Sequence, residues 1–83
     1  MAVKINSSDE KPWLILSKAQ IANKQYKNAL DSLNTAQKIN SNNSETYFLK
    51  SNIYLKISQL QNAKNSLKNG LKIEPNNHIA IFI

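Results

Sequence analysis

The fold is decided by the stretch from Tyr26 to Asn43, Tyr-Lys-Asn-Ala-Leu-Asp-Ser-Leu-Asn-Thr-Ala-Gln-Lys-Ile-Asn-Ser-Asn-Asn. Tyr26, Ala29, Leu30, Leu33, Ala36 and Ile39 fall on one face of a helix. Ser41, Asn42 and Asn43 then stop it with side chains that favour turns. Thirty-four residues further on the pattern returns as Leu60, Ala63, Leu67, Gly70 and Ile73, followed by Pro75, Asn76 and Asn77. A helix with the same stop at a fixed period marks a repeat architecture.

Working outward, the second helices of the two units share residues: Asn28/Asn62, Ala29/Ala63, Ser32/Ser66, Leu33/Leu67 and Ile39/Ile73. Each is preceded by another helix. The first starts between Asp9 and Pro12, where Ser7, Ser8 and Asp9 are good N-caps and a proline is tolerated. It runs to about Asn23 and turns at Lys24-Gln25. The third is capped by Asn43 or Ser44, with Glu45 in its first turn, and turns at Ser58-Gln59. The fourth spans about Leu60 to Ile73, ahead of Pro75. These first helices match in character rather than identity. Trp13-Leu14-Ile15-Leu16 cannot share one apolar stripe, so that helix meets neighbours on more than one side or shows apolar side chains to a binding groove.

The expected organisation is 1–9 as the frayed tail of a preceding unit, 10–43 and 44–77 as full units, and 78–83 as a truncated third. Ala2, Ile5, Asn6 and Ser7 stand one period before Ala36, Ile39, Asn40 and Ser41, and so short a helical piece does not hold itself together. The fold class is all-α, a solenoid of antiparallel helix pairs with four full helices and a cut fifth.

Composition narrows the function classes. The chain is 41% apolar and 19% charged, enough for a core. It has no cysteine, hence no disulfide framework and no thiolate chemistry. No apolar run approaches the roughly 20 residues of a bilayer span, and no secretory leader is legible. A cytoplasmic setting without membrane partners is expected. The formal charge is +6, but every basic residue is a lysine and they are scattered from Lys4 to Lys72. No guanidinium fork is available for phosphate or guanine recognition, so a solvated basic surface is favoured over a nucleic-acid site. Catalysis is not expected. His78 stands alone, Asp9 and Glu10 point apart as first-turn residues, and Gly70 by itself cannot make a phosphate loop. No metal-ligand spacing occurs, and no cofactor or metal site is expected.

The residues resemble the tetratricopeptide repeat family, a helix–turn–helix unit of 34 residues. The first unit supplies Trp13, Leu16, Ser17, Ala29, Leu33 and Ala36 for the family pattern. The second supplies Tyr47, Ser51, Tyr54, Ala63, Leu67, Gly70 and Pro75. Three positions depart from it: Gln20 in place of an aromatic, Lys50 in place of leucine, and Ser41 in place of the exit proline. The resemblance implies a protein- or peptide-binding scaffold, part of a longer array, whose ligand lies on a concave face lined by the first helix of each repeat. That face would carry Lys11, Leu14, Lys18 and Ile21, then Glu45, Phe48, Leu49, Asn52, Leu55 and Lys56. Helical spacing separates Leu14, Lys18 and Ile21, or Phe48, Asn52 and Leu55, from the Trp13 and Tyr47 faces. An apolar floor with Lys and Asn donors suits a peptide with an acidic flank. The family's clamp for C-terminal carboxylates is not matched: Leu14, Lys18 and Phe48 stand at its positions, and only Asn52 fits.

Two other readings stay open. One is a helical repeat that binds single-stranded RNA, prompted by the charge. The other is a structural segment that self-associates through the apolar end Ile79, Ile81, Phe82 and Ile83.

Overall fold

The computed structural model describes residues 9–75. They form α1 (Lys11–Ala22), α2 (Tyr26–Ile39), α3 (Ser44–Lys56) and α4 (Leu60–Ile73). The four helices expected from the sequence are the four found. The chain divides between Ser41 and Asn42 into two compact units, one holding α1 and α2, the other α3 and α4. The expected leading tail (apart from Asp9), His78 and the apolar end Ile79–Ile83 lie outside the described residues.

Helix starts follow from local polar chemistry. The Asp9 Oδ1 accepts the Lys11 N–H at 3.0 Å, and Pro12 occupies the first turn, where its missing N–H has no intrahelical role. The Asn43 Oδ1 accepts the Glu45 N–H at 3.0 Å and so caps α3.

Both first helices end in the same way. Lys24 takes φ 60° and Ser58 φ 62°. The Gln25 N–H reaches back to the Gln20 carbonyl at 2.8 Å, and the Lys24 N–H to the Ile21 carbonyl at 2.9 Å. One period later, Gln59 bonds Tyr54 at 2.8 Å and Ser58 bonds Leu55 at 3.2 Å. This is the paired-bond helix end that usually puts glycine at the left-handed position. Here a lysine and a serine hold it. The carbonyls of Gln25 and Gln59 then accept from Ala29 and Ala63, which starts the return helix.

Within each unit the helices run antiparallel, and hydrogen bonds fix the register. In the first, Asn40 Nδ2 donates to Glu10 Oε2 at 3.2 Å at the open end. Nearer the turn, Ser32 Oγ donates to Gln20 Oε1 at 2.7 Å. Gln20 thus departs from the aromatic pattern by making a polar link between the helices. In the second unit Ser44 Oγ donates to Glu74 Oε2 at 3.2 Å. Positions 10 and 44 are equivalent, as are 40 and 74. The same closing bond is therefore made in both units, with the carboxylate moved to the opposite helix.

The core is built from modest side chains: Leu14, Ala29, Leu33 and Ala36 in the first unit, Phe48, Ile53 and Ala63 in the second. Ser17 and Ser51 are fully buried beside them, and each donates its hydroxyl to a carbonyl three residues back, Leu14 at 2.7 Å and Phe48 at 2.9 Å. A satisfied hydroxyl lets a small residue sit in the core without a desolvation penalty. Gly70 is buried against the Phe48 ring, so close that an added Cβ would lie 2.7 Å from Cδ1 and 3.0 Å from Cζ. The equivalent positions in the first unit are Leu14 and Ala36. The larger side chain in one unit is matched by the smaller residue opposite it.

Candidate functional site

The second helices present one buried stripe each: Ala29, Ser32, Leu33 and Ala36 on α2, and Ala63, Ser66 and Gly70 on α4. The first helices are less one-sided. On α3, Ser44, Thr46, Phe48, Ser51 and Ile53 are all buried, which spreads over much of its circumference.

The residues expected to line a ligand face divide into two kinds. Leu14 and Phe48 are only 3% and 7% exposed. They pack into the interiors of their units, and any contribution to a surface is as backing. Lys11, Lys18, Leu55 and Lys56 are exposed, while Ile21, Glu45, Leu49 and Asn52 are half-buried. In the first unit the solvent-facing set on α1 is therefore Lys11, Lys18 and part of Ile21. In the second it is Leu55 and Lys56 with parts of Glu45, Leu49 and Asn52.

Two apolar side chains outside that set are more exposed than any within it: Ile15 at 68% and Leu60 at 60%. Ile15 belongs to the run Trp13–Leu16, expected from the sequence either to meet neighbours on more than one side or to show apolar side chains to a groove; Ile15 is the member left facing solvent. Leu60 opens α4 and has no comparable signal.

Lys50 stands where Leu16 stands in the first unit, and it is half-buried. Burial disfavours its charged form and lowers its pKa below the ordinary lysine range. The side chain of Thr46 is fully buried, and its Oγ1 has no hydrogen-bond partner among the described residues; the Trp13 Nε1 is in the same state. Among the described residues, no three His, Cys, Asp or Glu side chains gather as a metal site would require. No helix among them is long and apolar enough to cross a membrane.

The period, the paired helix ends and the small-residue cores agree with a comparison to known families. A family model described as tetratricopeptide repeat matches residues 11–43 and again 44–77. The chain belongs to the tetratricopeptide repeat family. Tetratricopeptide repeats generally mediate protein–protein interaction and typically serve as non-enzymatic scaffolds. No curated protein matches the chain. Of the three departures from the family pattern, Gln20 is explained by its bond to Ser32. Lys50 carries a desolvation cost. Ser41 follows Asn40, whose amide closes the open end through Glu10.

Proposed function

We propose that this chain is a protein- or peptide-binding scaffold in which each unit offers its ligand the solvent-facing side chains of its first helix, α1 in one and α3 in the other. One observation carries the reading: the second helices keep Ala29/Ala63, Ser32/Ser66 and Leu33/Leu67 at their packing positions, while the surface positions of the first helices differ. Lys18 and Ile21 in one unit correspond to Asn52 and Leu55 in the other. Packing constrains the first group and leaves the second open to selection by a partner. Exposed Lys11, Lys18 and Lys56 suit a segment with an acidic flank, and Ile21 and Leu55 supply apolar contact.

The test is selection of binding peptides from a displayed library, followed by titration of variants. Lys18→Glu and Leu55→Asp change surface side chains and leave both cores alone. Each is expected to weaken the selected peptides at least about tenfold, the loss of one good contact. Unchanged affinity in both variants sinks the assignment. Leu14→Ala and Phe48→Ala do not serve, because they would damage the fold itself.

A further inference from the structure

The only glycine in the chain, Gly70, directly follows Asn69. Packing sets its place, because an added Cβ would lie 2.7 Å from Phe48 Cδ1 and 3.0 Å from Cζ. The equivalent pair in the first unit is Thr35-Ala36, so the requirement belongs to the second unit alone.

That packing has a chemical consequence. A residue without a Cβ leaves its own backbone nitrogen unshielded and its backbone angles free. Asparagine followed by glycine is therefore the pair best able to close a five-membered imide. The Gly70 nitrogen gives its proton to solvent base and attacks the Asn69 Cγ. A carbon–nitrogen bond forms, the side-chain amide nitrogen takes up a proton and leaves as ammonia, and a succinimide remains. Water, the sole co-reactant, then adds to one or other imide carbonyl and leaves aspartate or isoaspartate at position 69.

The folded chain blocks this step. Asn69 and Gly70 lie inside α4, and Gly70 is buried. Backbone amides there are given to carbonyls four residues back, so the Gly70 nitrogen is engaged. A helical ψ at Asn69, about −42°, also keeps that nitrogen turned away from Cγ. Asn40-Ser41 and Asn43-Ser44 lie at the junction of the two units, but their side chains are held. Asn40 Nδ2 donates to Glu10 at 3.2 Å, and Asn43 Oδ1 accepts the Glu45 N–H at 3.0 Å. Each is also followed by a residue with a Cβ.

We propose that Asn69-Gly70 is a self-modification site gated by the fold, closed while α4 is helical and reactive whenever the second unit opens. Isoaspartate adds a carbon to the main chain of α4 and moves Gly70 out of register with Phe48. It displaces the bond from the Glu74 N–H to the Gly70 carbonyl, 2.9 Å, and with it the closing bond from Ser44 Oγ to Glu74 Oε2, 3.2 Å. The second unit cannot reclose on the same contacts, so a transient opening becomes a permanent loss.

The full chain is incubated at mildly alkaline pH in buffer and in a urea series. Deamidation at each asparagine is read by peptide mass mapping, and isoaspartate is counted with an isoaspartyl methyltransferase. In denaturing urea Asn69 reacts faster than every other asparagine. In buffer it reacts at least about tenfold more slowly than in urea, the protection that a closed helix confers. Phe48→Ala, which damages the second unit, speeds the reaction in buffer by at least about threefold. The double variant Phe48→Leu with Gly70→Ala slows the reaction in urea by at least about tenfold, because the Cβ shields the attacking nitrogen. Deamidated chain returned to buffer unfolds at a lower urea midpoint than the parent. Equal rates at Asn69 in buffer and urea overturn the gating, and a faster Asn40 or Asn43 in urea overturns the assignment of the site. An unchanged urea midpoint after deamidation overturns the permanent loss.

Discussion

Replacing Gly70 by alanine sets two opposing effects against each other. Glycine inside a helix costs about 1 kcal/mol relative to alanine, so on α4 alone the change stabilises. The new Cβ, however, would lie 2.7 Å from Phe48 Cδ1 and 3.0 Å from Cζ, against the 3.5–4.0 Å at which carbon atoms normally rest. Phe48 is 7% exposed, so its ring has no open side to swing toward. Overpacking of this kind costs roughly 1–3 kcal/mol. Because several ring atoms are struck at once, the upper half of that range applies, and the net loss is about 1–2 kcal/mol. Phe48→Leu alone leaves space above Gly70 and costs about 1–2 kcal/mol. The double variant rebuilds the Leu14 and Ala36 combination of the first unit. It is expected to lie close to the parent, with a coupling energy of about 2 kcal/mol. Urea denaturation of the four proteins measures this directly. Additive losses, leaving the double variant the least stable of the four, would refute the idea that ring and glycine compensate each other.

Four further substitutions test separate parts of the account. Lys24→Gly and Ser58→Gly, at φ 60° and 62°, relieve left-handed strain and should each raise stability by about 0.5–1 kcal/mol; a loss in both would mean that the helix ends are formed differently. Thr46→Val removes a fully buried hydroxyl without a partner among the described residues at nearly constant shape, and should be neutral or stabilising by about 1 kcal/mol; a loss above about 1 kcal/mol would reveal a bond to that oxygen. Lys50 has a depressed pKa in the fold because burial disfavours its charge, so between that value and the ordinary lysine range the unfolded chain binds more protons. Stability should therefore rise with pH across that window. Lys50→Leu should raise stability at neutral pH and remove that rise, as read from urea midpoints at several pH values; an unchanged slope would place the titration elsewhere.

The helices were legible because their ends carry chemistry that a sequence displays. Asn43, Pro75 and the polar pairs Lys24-Gln25 and Ser58-Gln59 mark stops and starts whatever the surroundings. The left-handed residues were harder, since no glycine flags Lys24 or Ser58. The burial of Leu14 and Phe48 was not legible. α1 and α3 are apolar on several sides, and spacing sorts their residues into faces without saying which face another helix will cover. The closing bond at the open ends was invisible for another reason. Glu10 against Ser44 and Asn40 against Glu74 are two mismatches in a repeat comparison, and only the fold shows that they exchange the same interaction. The compensation between Phe48 and Gly70 is of that type as well. A comparison of identities sees conserved positions, whereas packing conserves volumes and hydrogen bonds.

The central functional claim, that partner segments contact the first helices, is tested most directly by amide chemical-shift mapping. Titration of the chain with a peptide selected against it is expected to shift resonances of Lys11, Lys18, Ile21, Asn52, Leu55 and Lys56. Saturable binding that moves none of these six, and perturbs α2 or α4 instead, would contradict it.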